Sequence, residues 1–265
     1  MKRLWVMAVI LIGIVVWGCG GGGEHISVGG STTVQPLSER WASEFMERYD
    51  VKVDVMGGGS TAGVKGVIKG TLDIGGISRE LKDEERKACP ELKDIPIACD
   101  AIAIIVNPQN PVDDLTLEQV KLIFAGEIKN WRDVGGPEGK IIPVSREEGS
   151  GTRATFEKRV MKDRKITKEA EFFDSNAAVR EKVSTTPLAI GYISLGYVDK
   201  SVKAVKINGV PCTPDMARKK EYPITRMLYY VVKGEPRGIV KKFIDFVLSE
   251  EGQRIAQEEG YIRVR

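Results

Sequence analysis

The chain has 265 residues, 42% hydrophobic and 29% charged, enough to bury one large core or two smaller ones. Its 40 basic and 37 acidic side chains leave a formal charge of only +3 and are interspersed along the sequence, which excludes the polybasic face of a nucleic-acid binder.

Taken in chain order, Lys2 and Arg3 precede an apolar run over residues 4–17. That run is shorter than the roughly 20 residues a membrane-spanning helix needs, and a short basic segment before a short apolar one is the pattern of a secretory leader. Gly18-Cys19 closes it, and the glycines at 20–23 form a spacer. The arrangement resembles a lipobox, with Cys19 as the lipid anchor, although bulky Trp17 stands where the bacterial pattern has a small residue; an uncleaved anchor is the alternative. Either way the expected location is extracytoplasmic, tethered to the outer face of the cell membrane.

Removal of Lys2 and Arg3 with the leader takes the 40 basic side chains to 38 against 37 acidic, so a bound anion would have to be held by local dipoles and not by a global field. Cys89 and Cys99 can pair in an oxidising compartment, while Cys99, in an apolar run, reads equally as a small buried hydrophobe. With no C-x-x-C and no Cys/His cluster, neither a metal nor a cofactor is expected.

The body repeats one unit: strand, glycine-and-hydroxyl loop, helix. A strand at 26–28 runs into Gly29-Gly30-Ser31-Thr32-Thr33 and a helix whose Leu37, Trp41, Phe45 and Tyr49 form an apolar stripe, with Pro36 in its first turn. Val51, Val53 and Val55 alternate as a strand does; Gly57-Gly58-Gly59-Ser60-Thr61 follows, opening a helix through Val64, Val67 and Ile68. A short strand at 72–74 leads to Gly75-Gly76-Ile77-Ser78-Arg79 and a charged helix at 83–87. Later, a strand at 141–144 runs into Ser145-Arg146-Glu147-Glu148-Gly149-Ser150-Gly151-Thr152 and a helix over 153–161. Alternating strands and helices predict an α/β fold with largely parallel sheets.

Two long apolar segments, 97–106 broken by Asp100 and 224–232, are expected to cross between two lobes. The predicted organisation is a leader and spacer at 1–23, a first lobe from 24–104 plus 226–265 that includes an amphipathic C-terminal helix, and a second lobe at 105–225.

Helix N-termini present unpaired N–H groups and partial positive charge, glycine lets the backbone approach a ligand, and hydroxyls add donors without adding charge. One such loop is no more than an ordinary N-cap. Four in one chain, at strand ends that converge on one crevice, predict a site for one small oxyanion.

These loops, the Asp100 strand and Ala189-Ile190-Gly191-Tyr192 resemble the phosphate-binding proteins of bacterial and archaeal ABC importers, over essentially the whole mature chain. Arg146-x-x-Gly149-Ser150-Gly151-Thr152 is the most specific motif. The resemblance implies the two-lobed periplasmic-binding-protein fold (type II) with two crossover strands and ligand in the interlobe cleft. It implies inorganic phosphate as ligand, ABC permease and ATPase subunits as partners, a monomer, and cleft closure without chemistry. Thr32, Thr33, Ser60, Ser150, Gly151 and Thr152 fall where that family uses hydroxyls and amides, Arg146 where it has a charged donor, and Glu148 where it holds that arginine's acidic partner; Ser31, Thr61 and Ser78 are expected at the ligand from the same loops. At Ser78-Arg79 some members have Ser-Asp, whose aspartate accepts the ligand proton, so the correspondence fails at Arg79.

Asp100 is the expected replacement. Phosphate near neutral pH keeps a proton and sulfate does not, so a fixed carboxylate favours the former. The bland reading of Asp100 is a pair with a core arginine or a loop N–H; Arg79 either faces the ligand or forms that pair. Other readings stay open: another oxyanion such as sulfate or molybdate, or a phosphate sensor. An enzyme is disfavoured: His25, the only histidine, lies beside the leader, there is no G-x-S-x-G elbow, and the 149–152 loop lacks a phosphate-loop lysine.

Overall fold

A computed structural model describes residues 23–264. Cys19 and the leader lie outside the described residues. The first lobe begins β1 (Glu24–Gly30), α1 (Gln35–Met46), β2 (Val51–Met56), α2 (Ser60–Lys69), β3 (Ile74–Ile77) and α3 (Asp83–Ala88), and runs into the 15-residue β4 (Leu92–Val106). The second follows with β5 (Asp114–Leu115), α4 (Leu117–Ala125), β6 (Ile142–Arg146), α5 (Gly151–Phe156), β7 (Glu171–Phe173), α6 (Asn176–Thr185), β8 (Ala189–Ser194), β9 (Lys203–Ala204), β10 (Lys206–Ile207) and α7 (Pro214–Arg218). The chain then returns through β11 (Thr225–Lys233) to α8 (Gly238–Val247) and α9 (Glu250–Glu258).

The main sheet runs β2-β1-β3-β11-β4-β8-β6-β7, with β9 beside β4. Pairing is parallel among β1, β2 and β3 and among β6, β7 and β8, and antiparallel where β11 and β4 join the two halves. β4 is the shared strand: from Leu92 to Ala101 it pairs with β11, and from Ile102 to Val106 with β8. The Ile102 amide bonds the Ile224 carbonyl, so both chain crossings lie side by side. We propose drawing the lobe boundary at 101/102 and 224/225, against the 104/105 and 225/226 junctions expected from the apolar runs.

Each half has its own core. Leu37, Trp41 and Phe45 of α1 pack on Ile26, Val28, Tyr230 and Phe243; in the other half Phe124, Phe156 and Tyr192 form an aromatic group in which the last two stack at 4.0 Å. α2 lies backbone to backbone on the sheet: a Cβ on its Gly63 would stand 2.8 Å from the Gly29 carbonyl and 3.0 Å from that of Gly76. That approach brings Ser60, at the start of α2, down to the sheet's carboxyl edge.

Three sequence expectations shift. α1 ends at Met46, so Tyr49 sits past the helix against Phe45, 44% exposed. The third strand is Ile74–Ile77, not 72–74, because the glycines thought to start its loop pair with β1. The helix expected over 153–161 is α5 followed by a π-helical turn, Glu157–Met161.

Candidate functional site: the interlobe cleft

The strand–loop–helix junctions of both halves meet across one cleft. From the first lobe, Ser31 Oγ donates to Ser78 Oγ at 2.9 Å, and Ser60 Oγ accepts the Ser78 amide at 3.1 Å. From the second, Gly151 lies so close that a Cβ on it would run into both the Ser60 and Ser78 hydroxyls. Thr33 and Thr152 hydroxyls meet at 3.1 Å, and the Thr61 amide bonds the Gly149 carbonyl. Ser150 caps α5 through the Arg153 amide, the ordinary N-cap role, while also lining the cleft. Ser31, Thr32, Thr33, Ser60, Ser78, Arg146, Ser150, Gly151 and Thr152 are therefore brought together. Of these, Thr32, Arg146 and Ser150 line a cavity of about 270 Å³ together with Glu147, Glu148, Asp174, Ser175 and the glycines at 57–59 and 149.

Arg146 is 1% exposed. Its position follows from β6: the adjacent Ser145 bonds the Tyr192 hydroxyl, and Tyr192 is locked in the aromatic stack. Its Nε donates to the Phe173 carbonyl at 3.2 Å and Nη2 to the Asp174 carbonyl at 2.6 Å and to Thr32 Oγ1 at 3.3 Å. Nη1 has no protein partner. The acidic partner expected at Glu148 is corrected: Glu148 is exposed and makes no bond to Arg146, because the two main-chain carbonyls already hold the guanidinium. Burial pulls the Arg146 guanidinium down to about 10, which still leaves it charged at neutral pH.

Asp100 does have a partner, and it is Arg226. The two lie directly opposite in the β4–β11 register, with Arg226 Nη2 and Nε at 2.8 and 2.9 Å from Oδ2, while the Ser194 hydroxyl donates to Oδ1 at 2.9 Å. Burial pushes the Asp100 carboxyl up, against the pull of Arg226 and of these hydrogen bonds. Of the two readings of Asp100, the structure displays the pair with a core arginine; its link to the cleft runs through Arg226 Nη2, which also reaches Thr33 Oγ1 at 3.0 Å.

Arg79 is corrected on both counts: it neither pairs with Asp100 nor joins the hydroxyl cluster. It forks onto Glu85 at 2.7 and 2.8 Å and touches Thr61 Oγ1 at 3.2 Å. It faces a separate cavity of about 890 Å³ between the lobes, which the crossover strands also line. Burial pushes the Glu85 carboxyl up, but the Arg79 fork and the Lys82 amide outweigh it, so Glu85 sits below the ordinary carboxylate range.

The cysteine pairing is corrected as well. Cys89 and Cys99 are free thiols. Cys99 stands seven residues up β4 from Leu92, about 23 Å at ~3.3 Å per residue, far beyond the ~7 Å Cα separation a disulfide tolerates.

Sequence reasoning missed Arg226 and Asn176. Arg226 interrupts an apolar strand just as Asp100 does, and two such interruptions in paired strands are a readable signal. Asn176, fully buried at the start of α6, gave no signal beyond following the Ser175 cap. Its Nδ2 reaches Thr32 Oγ1 at 3.2 Å and Thr33 Oγ1 at 3.0 Å.

Among the described residues no helix is long and apolar enough to cross a membrane. A family model for the PBP superfamily domain matches residues 20–251. The chain is 36% identical over 242 residues to the phosphate-binding protein PstS of Bacillus subtilis, covering 90% of this chain and 80% of that one. It is 32% identical to PstS of Borreliella burgdorferi over the full length of both. Among solved structures, a candidate phosphate ABC transporter substrate-binding protein from Clostridium perfringens, with bound phosphate, superposes with a TM-score of 0.88 at 42% identity, over 91% of this chain and 100% of that one. An ABC-type phosphate transport receptor from Vibrio cholerae gives 0.74 at 36%, over 89% and 99%. With its two-lobed fold and its cleft of hydroxyls around a buried arginine, the chain belongs to the periplasmic-binding-protein superfamily and, within it, to the family of PstS-like phosphate-binding proteins.

Proposed function

We propose that this protein binds inorganic phosphate between its lobes and presents it to an ABC transporter, with no chemical change to the ligand. One observation carries the reading: Arg146 is a buried cation with no carboxylate partner and a free Nη1, surrounded by hydroxyls of both lobes. A buried charge is tolerated only when it is paired and hydrogen-bonded, and here the partner has to be an anionic ligand. The Arg226–Asp100 and Arg79–Glu85 pairs are internally neutral, which leaves Arg146 as the buried cation without a paired carboxylate, in a cavity whose lining also carries Glu147, Glu148 and Asp174. The names of the relatives and the phosphate carried by the Clostridium perfringens structure support inorganic phosphate as that anion.

In this reading the ligand is held by Arg146 with Thr32, Thr33, Ser60, Ser78, Ser150, Gly151 and Thr152, while Asp100 acts through Arg226. The protein works as an extracytoplasmic monomer, held at the membrane through Cys19 or an uncleaved leader; palmitate labelling of wild type but not of Cys19→Ser would separate the two. Calorimetry of the purified protein with phosphate, sulfate and a phosphate ester tests the rest. One-to-one phosphate binding with weak sulfate binding and no ester turnover is expected. Equal sulfate affinity or turnover of the ester would sink the assignment.

A further inference from the structure

Hydrogen-bond polarity in the cleft can be worked out from groups that have no choice of role. The Ser194 amide is a donor only, and at 3.1 Å it fixes Asn176 Oδ1 as the acceptor. Asn176 Nδ2 therefore points to the threonines and donates to both Thr32 Oγ1 and Thr33 Oγ1. Each hydroxyl also receives a guanidinium, Arg146 Nη2 on Thr32 and Arg226 Nη2 on Thr33, and a guanidinium never accepts. Two obligate donors fill the two lone pairs of each oxygen. Each hydroxyl proton is left to point outward, and for Thr33 the direction it takes is that of Thr152 across the cleft.

We infer that Asn176 is a positioning residue that commits the Thr32 hydroxyl to act as a donor toward the bound anion and the Thr33 hydroxyl to donate to Thr152 at the cleft wall. The inference rests on the phosphate-binding reading above. Asn176 is thereby a specificity element: at Thr32 the ligand meets a donor with no free acceptor lone pair, so a ligand O–H has to donate elsewhere. The charged groups around it are Arg146 from β6, Arg226 from β11 and Asp100 from β4, which accepts from Ser194 next door. Tyr197 and Tyr261 bond the Thr32 and Thr33 carbonyls from above and stay protonated, with burial pushing Tyr197 up to about 12.

The test is calorimetry with inorganic phosphate on the wild-type protein, Asn176→Asp and Asn176→Ala, after circular dichroism has shown each to be folded. Asn176→Asp keeps the shape but turns a donor into a charged acceptor that draws the Thr32 proton away from the ligand and the Thr33 proton away from Thr152. It should weaken binding about a hundredfold at neutral pH, and Asn176→Ala, which only frees the hydroxyls to rotate, about tenfold. The Asn176→Asp deficit relative to wild type should shrink toward about pH 5, where a buried carboxyl regains a proton and with it a donor. A merely structural role predicts the reverse order, with the alanine variant worse, and no change of the ratio with pH. If Asn176→Asp does not fold, Asn176→Ala decides alone, since unchanged affinity would overturn the inference. Wild-type protein that ignores phosphate overturns the functional reading and takes this one with it. Wild-type binding with an Asn176→Asp variant inside about threefold overturns only the role of Asn176.

Discussion

Arg146 in the second lobe and Arg226 in the first are both more than nine-tenths buried, and both reach a threonine of the same loop. They differ in what holds them. Arg226 is forked onto the Asp100 carboxylate and is electrically closed; Arg146 is held by two main-chain carbonyls, which fix its orientation without cancelling its charge. A protein that needs a rigid cation for a ligand can therefore use neutral acceptors to aim it, and reserve carboxylates for cations that belong to the scaffold.

The strongest way to break this contrast is Asp100→Asn, which leaves Arg226 buried without its counter-charge and should cost about 3–5 kcal/mol of stability in denaturant titration. A loss well under 1 kcal/mol would mean that Arg226 does not depend on the pair. Next comes Arg146→Met: phosphate affinity should fall about a hundredfold or more by calorimetry, with Arg146→Lys intermediate because it keeps charge but not the fork. Comparable losses of binding in Asp100→Asn and Arg146→Met would erase the distinction between scaffold cation and ligand cation.

Arg79–Glu85 extends the comparison to pH. Glu85 has a depressed carboxyl, so the folded state binds its proton less readily than the unfolded chain, and the stability it adds is present above the ordinary carboxylate range and lost as pH falls through the lowered value. Wild type should exceed Glu85→Gln by about 1–2 kcal/mol at neutral pH, and the gap should close in acid. The smallest effect is expected at Glu148: Glu148→Gln should leave phosphate affinity within about twofold, since that side chain is exposed and does not reach Arg146. A tenfold change would reinstate it as the arginine's partner.

Much of the architecture was legible because it is local. Each glycine-and-hydroxyl loop announces itself between an apolar strand and a helix, and the apolar runs around Asp100 and Arg226 mark the crossing strands. What escaped was set by register and distance along the chain. Asp100 and Arg226 become neighbours only because β11 pairs antiparallel with β4, and Asn176 meets Thr32 and Thr33 across more than 140 positions of sequence. The cysteine pairing failed for a simpler reason: an extended strand between Cys89 and Cys99 pulls apart two residues that ten positions would otherwise leave close. Glu85 as the partner of Arg79 could have been read from the helix start six residues downstream, where a glutamate completes the first turn.

The Thr61–Gly149, Thr33–Thr152, Thr32–Arg146 and Ser78–Thr155 bonds all join one lobe to the other around the same few ångströms of cleft. If a ligand leaves only when the lobes part, its residence time is the waiting time for these bonds to let go together. Dissociation should then be first order, steeply temperature-dependent and nearly the same for any anion the cleft can close over, with selectivity expressed in how often closure succeeds.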